Sequence, residues 1–286
     1  MGSKPKKQSN GDYLKGLARG AAGSILFAFP LLMTMEMWWL GFYLDRAKLL
    51  LLLVLTFALL VPLSWLSGFE RTDSRIEDVF DAVAALLIGA VVSAIMLLLF
   101  GLISFSMPLS EVVGKIAIQT VPASIGAVLA RGQMSNQGNN ADEIREREQG
   151  DGAGEEGSYR LELFIMLVGA LFLAFNVAPT EEMILIAFKM TEWHALGLIL
   201  FSIGILHAFV YALDFKGEHR MPEGTGFVAG VVRYSFAGYG IAVLVSLYVL
   251  WTFGRTDGAW LDQIAMMTAV LAFPAALGAA SARLVV

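Results

Sequence analysis

Three acidic residues, Glu36, Glu181 and Glu182, stand inside long apolar stretches of the sequence. A carboxylate in the middle of a lipid-facing helix costs roughly 2.5–3.5 kcal/mol on insertion scales, so such residues normally face a bundle interior and serve a function. Glu36 and Glu182 belong to similar tetrapeptides, Thr-Met-Glu-Met at 34–37 and Thr-Glu-Glu-Met at 180–183. We predict that these two carboxylates face each other, and bind a cation together or share a proton.

The second tetrapeptide follows Asn176 and Pro179. A proline in mid-span withdraws one backbone donor and kinks or unwinds the helix, and freed carbonyls beside carboxylates form the oxygen-rich site that hard cations prefer. The predicted cation or proton site therefore consists of Glu36, Glu182, Glu181, Asn176, Thr34 and Thr180. The alternative is that the span ends near Phe175, which leaves the glutamates in the outer headgroup region.

Two further pairs carry weaker signals. His207 and Tyr211 lie one helical turn apart, so they share a face and could relay protons from Glu182; a histidine bonded to a neighbouring helix is the structural alternative. Asp81 and Arg233 occupy matching positions of an internal repeat, which suggests a buried ion pair, with snorkelling at the cytoplasmic end as the alternative. Lys115, near the outer end of its span, is also expected to snorkel.

The chain that contains these residues is too hydrophobic for water to be its main solvent. It has 286 residues, of which 57% are hydrophobic and 16% charged, with a mean hydropathy of +0.68. A bilayer core of about 30 Å needs around 20 apolar residues per helix. We predict a polytopic all-α membrane bundle of about eight spans, at 21–43, 48–68, 79–103, 110–131, 161–189, 194–214, 227–253 and 260–283.

The spans form an internal repeat. An offset of 146 residues places Phe29 on Phe175 and Glu36 on Glu182, and an offset of 152 places the Pro-Ala-x-x-Gly-Ala segment at 122–127 on the one at 274–279. We predict two four-helix units, which must be parallel because each has an even number of spans. The predicted domains are a basic N-terminus at 1–20, a first repeat at 21–131, a flexible acidic linker at 132–159 and a second repeat at 160–286.

Lysine and arginine are concentrated on the side that holds the termini and the linker, so both termini are predicted to be cytoplasmic. The net charge of −5 offers no basic field for nucleic acid, and the absence of cysteine excludes disulfides and thiolate sites. Metalloprotease, nucleophile-elbow and phosphate-loop motifs are absent, so the sequence supports neither an enzyme nor a cofactor, and the identity of any metal stays open.

The duplicated spans, and above all Asn-Val-Ala-Pro-Thr-Glu-Glu-Met at 176–183, resemble a bacterial family of integral membrane proteins catalogued as domain of unknown function 2391. The likeness extends over about residues 15–286. It implies a multi-pass protein of the bacterial inner membrane and adds no functional residue.

The residues therefore predict a cation or proton-coupled transporter centred on Glu36 and Glu182. An ion channel with an axial pore, completed by homodimerisation, is the first alternative, because parallel repeats can also surround an axis. The second is a membrane scaffold or sensor that uses the linker to meet a partner.

Overall fold

The computed structural model describes residues 10–67, 75–134, 155–211 and 231–282, and this part of the chain consists of helices and the turns that connect them, without strands. The helices are α1 Asn10–Leu32, α2 Met35–Tyr43, α3 Arg46–Ser67, α4 Arg75–Leu99, α5 Leu109–Met134, α6 Glu155–Val177, α7 Glu181–Lys189, α8 Glu192–Tyr211, α9 Ala237–Thr252 and α10 Leu261–Ala282. A π-helical turn, Val231–Phe236, leads directly into α9.

Seven of the described helices are long and apolar enough to cross a membrane, and the count rises to eight if α1 and α2 form one broken span. The predicted membrane helix bundle is thereby confirmed. The predicted span at 21–43 is divided into α1 and α2 at a position where no break was predicted, and the predicted span at 161–189 is interrupted between α6 and α7, where Pro179 predicted a kink or an unwound turn.

Local sequence explains where several helices begin. Asp45 Oδ1 accepts hydrogen bonds from the backbone N–H groups of Ala47 (2.9 Å) and Lys48 (3.1 Å), which caps α3. At the start of α10, Gln263 Oε1 accepts the backbone N–H of Trp260 at 3.0 Å, a capping-box bond. The residue in the same place before α5 is Pro108, which has no N–H to donate.

The chain forms two compact units, residues 1–33 with 50–137, and residues 34–49 with 138–286. In the first unit α5 is the central helix and packs against α1 and α4, which also contact each other. In the second unit α10 is central and packs against α6, α7, α8 and α9. This division differs from the predicted domain boundaries, because the α2 segment groups with the second half of the sequence. The predicted linker lies mostly outside the described residues, and its two ends are helical in α5 and α6.

Each unit contains a close crossing built on glycine. A Cβ atom added at Gly23 of α1 would overlap the Gly126 carbonyl and Ala130 of α5. A Cβ atom added at Gly169 of α6 would overlap the Gly278 carbonyl and Ala282 of α10. The helices approach so closely that no side chain fits at these glycine positions, which is how small residues let membrane helices pack together.

Candidate functional site

Both predicted carboxylates lie just after a break in the helical backbone. α2 and α7 are each nine residues long, and each is preceded by an extended threonine: Thr34 has φ −98° and ψ 114°, and Thr180 has φ −70° and ψ 142°. Glu36 and Glu182 are the second residues of these helices, where a negative charge is favoured by the helix dipole. The two helices begin 181 − 35 = 146 residues apart, at the offset of the sequence repeat.

The break before α7 has a clear local cause. Pro179 cannot donate a hydrogen bond and disfavours helical geometry at Ala178. Thr180 Oγ1 donates to the Val177 carbonyl at 2.8 Å, and Asn176 Nδ2 donates to the Phe172 carbonyl at 2.7 Å. The threonine bond satisfies one of the carbonyls that the end of α6 leaves without an intrahelical partner, whereas the asparagine donates to a carbonyl further back within the helix.

Helix α6 ends at Val177, close to where the alternative interpretation placed the end of the span. Glu181 and Glu182 are exposed on the first turn of α7, and Glu36 is half-buried on α2. The carboxylates thus stand beyond the straight part of the spans. The facing arrangement of Glu36 and Glu182 stays a prediction.

The turn between α9 and α10 braces this break. The Phe253 ring packs edge-on against the Phe175 ring, with centroids 5.0 Å apart, and both side chains are buried. Arg255 Nη2 donates a hydrogen bond to the Pro179 carbonyl. A guanidinium group is therefore fixed two residues before the Glu181-Glu182 pair, which sequence reasoning did not anticipate because the contact joins residues 76 apart.

The same turn holds a second cation. Lys48 Nζ lies 3.1 Å from Asp257 Oδ2, donates to the Trp251 carbonyl at 3.0 Å, and is 5.1 Å from the centroid of the Trp251 ring. Asp257 neutralises the charge of Lys48, so the positive charge beside the acidic start of α7 comes from Arg255.

We expect the two cations to differ in their effect on stability. Arg255→Met removes a charged hydrogen bond to a carbonyl at a helix break, and should lower the free energy of unfolding by about 1.5–3 kcal/mol. Lys48→Met removes an ion pair with the largely exposed Asp257, and should cost about 0–1 kcal/mol. Thermal unfolding in detergent checks both, and an equal effect of the two variants would contradict the bracing role of Arg255.

The predicted proton relay is only partly described. His207 Nδ1 lies 3.2 Å from Ser235 Oγ, so the histidine of α8 is bonded to the π-helical turn. This agrees with the structural alternative of a histidine bonded to a neighbouring helix. The side chains of Tyr211 and Arg233 lie outside the described residues, so neither the relay nor the Asp81–Arg233 pair is tested.

The expectation for Lys115 is wrong. Its side chain is buried in α5, with Nζ 2.7 Å from Glu111 Oε1 and 3.1 Å from the Leu102 carbonyl. Glu111 is at the position where a side chain would accept the backbone N–H of residue 108, but Pro108 has no N–H. The Glu111 carboxylate therefore pairs with Lys115, one turn later. The i,i+4 spacing of the two residues was the signal in the sequence.

Among the described residues, no group of three or more histidine, aspartate or glutamate side chains is placed to hold a metal ion. The site thus consists of broken helices, carboxylates and backbone oxygens, on a bundle that defines a multi-pass integral membrane protein.

Comparison with known proteins places the chain more closely. The family described as "Putative integral membrane protein (DUF2391)" matches residues 16–286, and the chain belongs to this family. No curated protein and no solved structure matches it.

Proposed function

We propose that this membrane protein is a non-enzymatic transporter coupled to a cation or to protons, with Glu36 and Glu182 as its ion-binding carboxylates. The observation that carries the proposal is the pair of helix breaks, each followed by a short helix with a glutamate at its second position. Discontinuous helices of this kind build ion sites in many secondary transporters, because they present backbone groups and helix ends to the ion.

We further propose that the two halves are parallel duplicates with both termini on the cytoplasmic side of a bacterial inner membrane. The helix boundaries support the duplication: α3 and α8 begin at residues 46 and 192, which are 146 apart, and α5 and α10 begin at residues 109 and 261, which are 152 apart. Because the natural sequence has no cysteine, single cysteines introduced near each end can be labelled from one side of the membrane without background.

The transport proposal is tested in proteoliposomes that contain a pH-sensitive dye, under an imposed sodium, potassium or proton gradient. We expect Glu36→Gln and Glu182→Gln each to abolish ion-dependent flux, since a neutral amide cannot exchange a proton or balance a cation's charge. Glu192→Gln is the matched control, because Glu192 is also an acidic residue in a first turn, that of the unbroken α8.

Unchanged flux in both glutamate variants would remove the assignment of these carboxylates. Single-channel currents in place of carrier-like turnover would identify a channel instead.

A further inference from the structure

The first unit contains a polar layer where α1, α4 and α5 pack together. We define it as the Leu31 carbonyl and the side chains of Ser93, Gln119 and Thr120. Gln119 Nε2 donates to the Leu31 carbonyl at 3.4 Å, a long bond, and Thr120 Oγ1 donates to the Ile116 carbonyl at 2.8 Å. All three side chains are buried, with Ser93 and Gln119 at 0% and 1% exposure.

Ser93 reaches this layer by helix register. Gly89 of α4 packs so closely on α5 that an added Cβ would lie 2.8 Å from Ser124 N and 3.1 Å from the Thr120 carbonyl. α4 and α5 are antiparallel, because a short hairpin loop joins them. One helical turn towards that loop leads from Gly89 to Ser93 on α4. The same step on α5 leads from Ser124 to Thr120. Ser93 and Thr120 are therefore at the same level.

Two oxygen atoms of the layer lack a partner within the described part of the chain: Ser93 Oγ and Gln119 Oε1. A buried polar atom without a hydrogen bond costs about 1–3 kcal/mol, so a layer with two of them is expected to hold something. It also lies at the C-terminal end of α1, where the helix dipole favours positive charge.

The second half shows that the packing does not require polar groups here. The residues 152 positions after Ser93, Gln119 and Thr120 are Val245, Leu271 and Ala272, all buried in the second unit. The same kind of three-helix contact is therefore made there with apolar side chains, and the polar layer is a property of the first half alone.

We propose that the polar layer is a binding site for a monovalent alkali cation, held by neutral oxygen atoms. Its ligands would be the Leu31 carbonyl, Gln119 Oε1 and the two hydroxyl oxygens. Neutral oxygens suit a singly charged ion. A divalent ion would need a carboxylate to balance its second charge, and the polar layer as defined contains none. This site goes beyond the proposed function, because it uses neither Glu36 nor Glu182.

The test is binding of radioactive sodium to the purified full chain in nanodiscs, with unlabelled NaCl, KCl or choline chloride as competitor. We expect NaCl or KCl, and not choline, to displace the label. Gln119→Leu and Ser93→Val, which introduce the residues of the second half, should each weaken binding at least about tenfold, equivalent to about 1.4 kcal/mol.

Ser246→Val is the matched control, because Ser246 is another fully buried serine with an unpartnered hydroxyl, on α9 and outside the layer. It should bind sodium as the natural protein does. If Gln119→Leu does not give a monodisperse protein, Gln119→Met retains the length of the side chain and takes its place.

Two results would overturn the proposal: wild-type protein without salt-displaceable sodium, which means that the layer holds water only, or tight binding retained in both Gln119→Met and Ser93→Val. Glu36→Gln and Glu182→Gln, which alter the other proposed ion site, should retain the part of the sodium binding that Gln119→Leu and Ser93→Val weaken, even where they abolish flux. This separates failure of the new site from failure of the transport assignment.

Discussion

Replacing Gly278 by alanine should force α6 and α10 apart and destabilise the second unit. The added Cβ would overlap the carbonyl oxygen of Gly169 and lie 2.8 Å from its carbonyl carbon. These are backbone atoms and cannot turn aside as a flexible side chain can, so the two helices must separate along their length. Overpacking typically lowers the free energy of unfolding by about 1–3 kcal/mol. We expect a clash between backbones at a central helix to cost as much as the upper end of this range or more.

The measurement is the temperature at which the detergent-solubilised protein loses its monodisperse peak. Gly240→Ala is the control, since a Cβ added there meets nothing within 4 Å and alanine favours the helix by about 1 kcal/mol. Gly126→Ala should reproduce the loss in the first unit, where the added Cβ would lie 2.6 Å from the Gly23 carbonyl oxygen. Equal unfolding temperatures for Gly278→Ala and Gly240→Ala would contradict the close crossing.

Lys115→Met should have the other large effect. It leaves the Glu111 carboxylate, whose side chain is only 18% exposed, without the ammonium group 2.7 Å away. Breaking one side of a buried ion pair costs about 3–5 kcal/mol, because the remaining charge stays in a medium that solvates it poorly. The Leu102 carbonyl also loses its donor, so the α4–α5 hairpin should loosen.

The control is the double variant Glu111→Gln with Lys115→Met, which introduces the residues found at the equivalent positions of the second half. The residues 152 positions later are Gln263 and Met267, so the second half already uses this combination at the start of its central helix. We expect the double variant to recover most of the stability lost by Lys115→Met. A double variant less stable than either single variant would show that the two residues do not act as a pair.

Hydropathy and length predicted the membrane helices, and Pro179 predicted the interruption before Glu181, because these signals are local. The break at Thr34 has no comparable local cause, since Pro30 is accommodated within α1. Only its position 146 residues before Thr180 could have indicated it.

The contacts that surround the candidate site were less accessible to sequence reasoning. Arg255 contacts Pro179 across 76 residues of sequence, and Gln119 contacts Leu31 across 88. At such separations along the chain, the sequence pattern does not indicate which residues will be partners. Lys115 was misplaced for a different reason: snorkelling is the usual behaviour of a lysine at a span end, and here the partner one turn away keeps it inside. Where a side chain is buried depends on which neighbour covers it, and that is decided by the tertiary fold.

The bond between Lys48 and Asp257 has a consequence for biosynthesis. Lys48 is synthesised more than two hundred residues before Trp251 and Asp257, so the start of α3 lacks these partners while the residues between them are inserted. The second unit, which includes residues 34–49, can therefore be completed only after Asp257 has been synthesised, and a nascent chain halted before the α9–α10 hairpin would carry Lys48 without its partner.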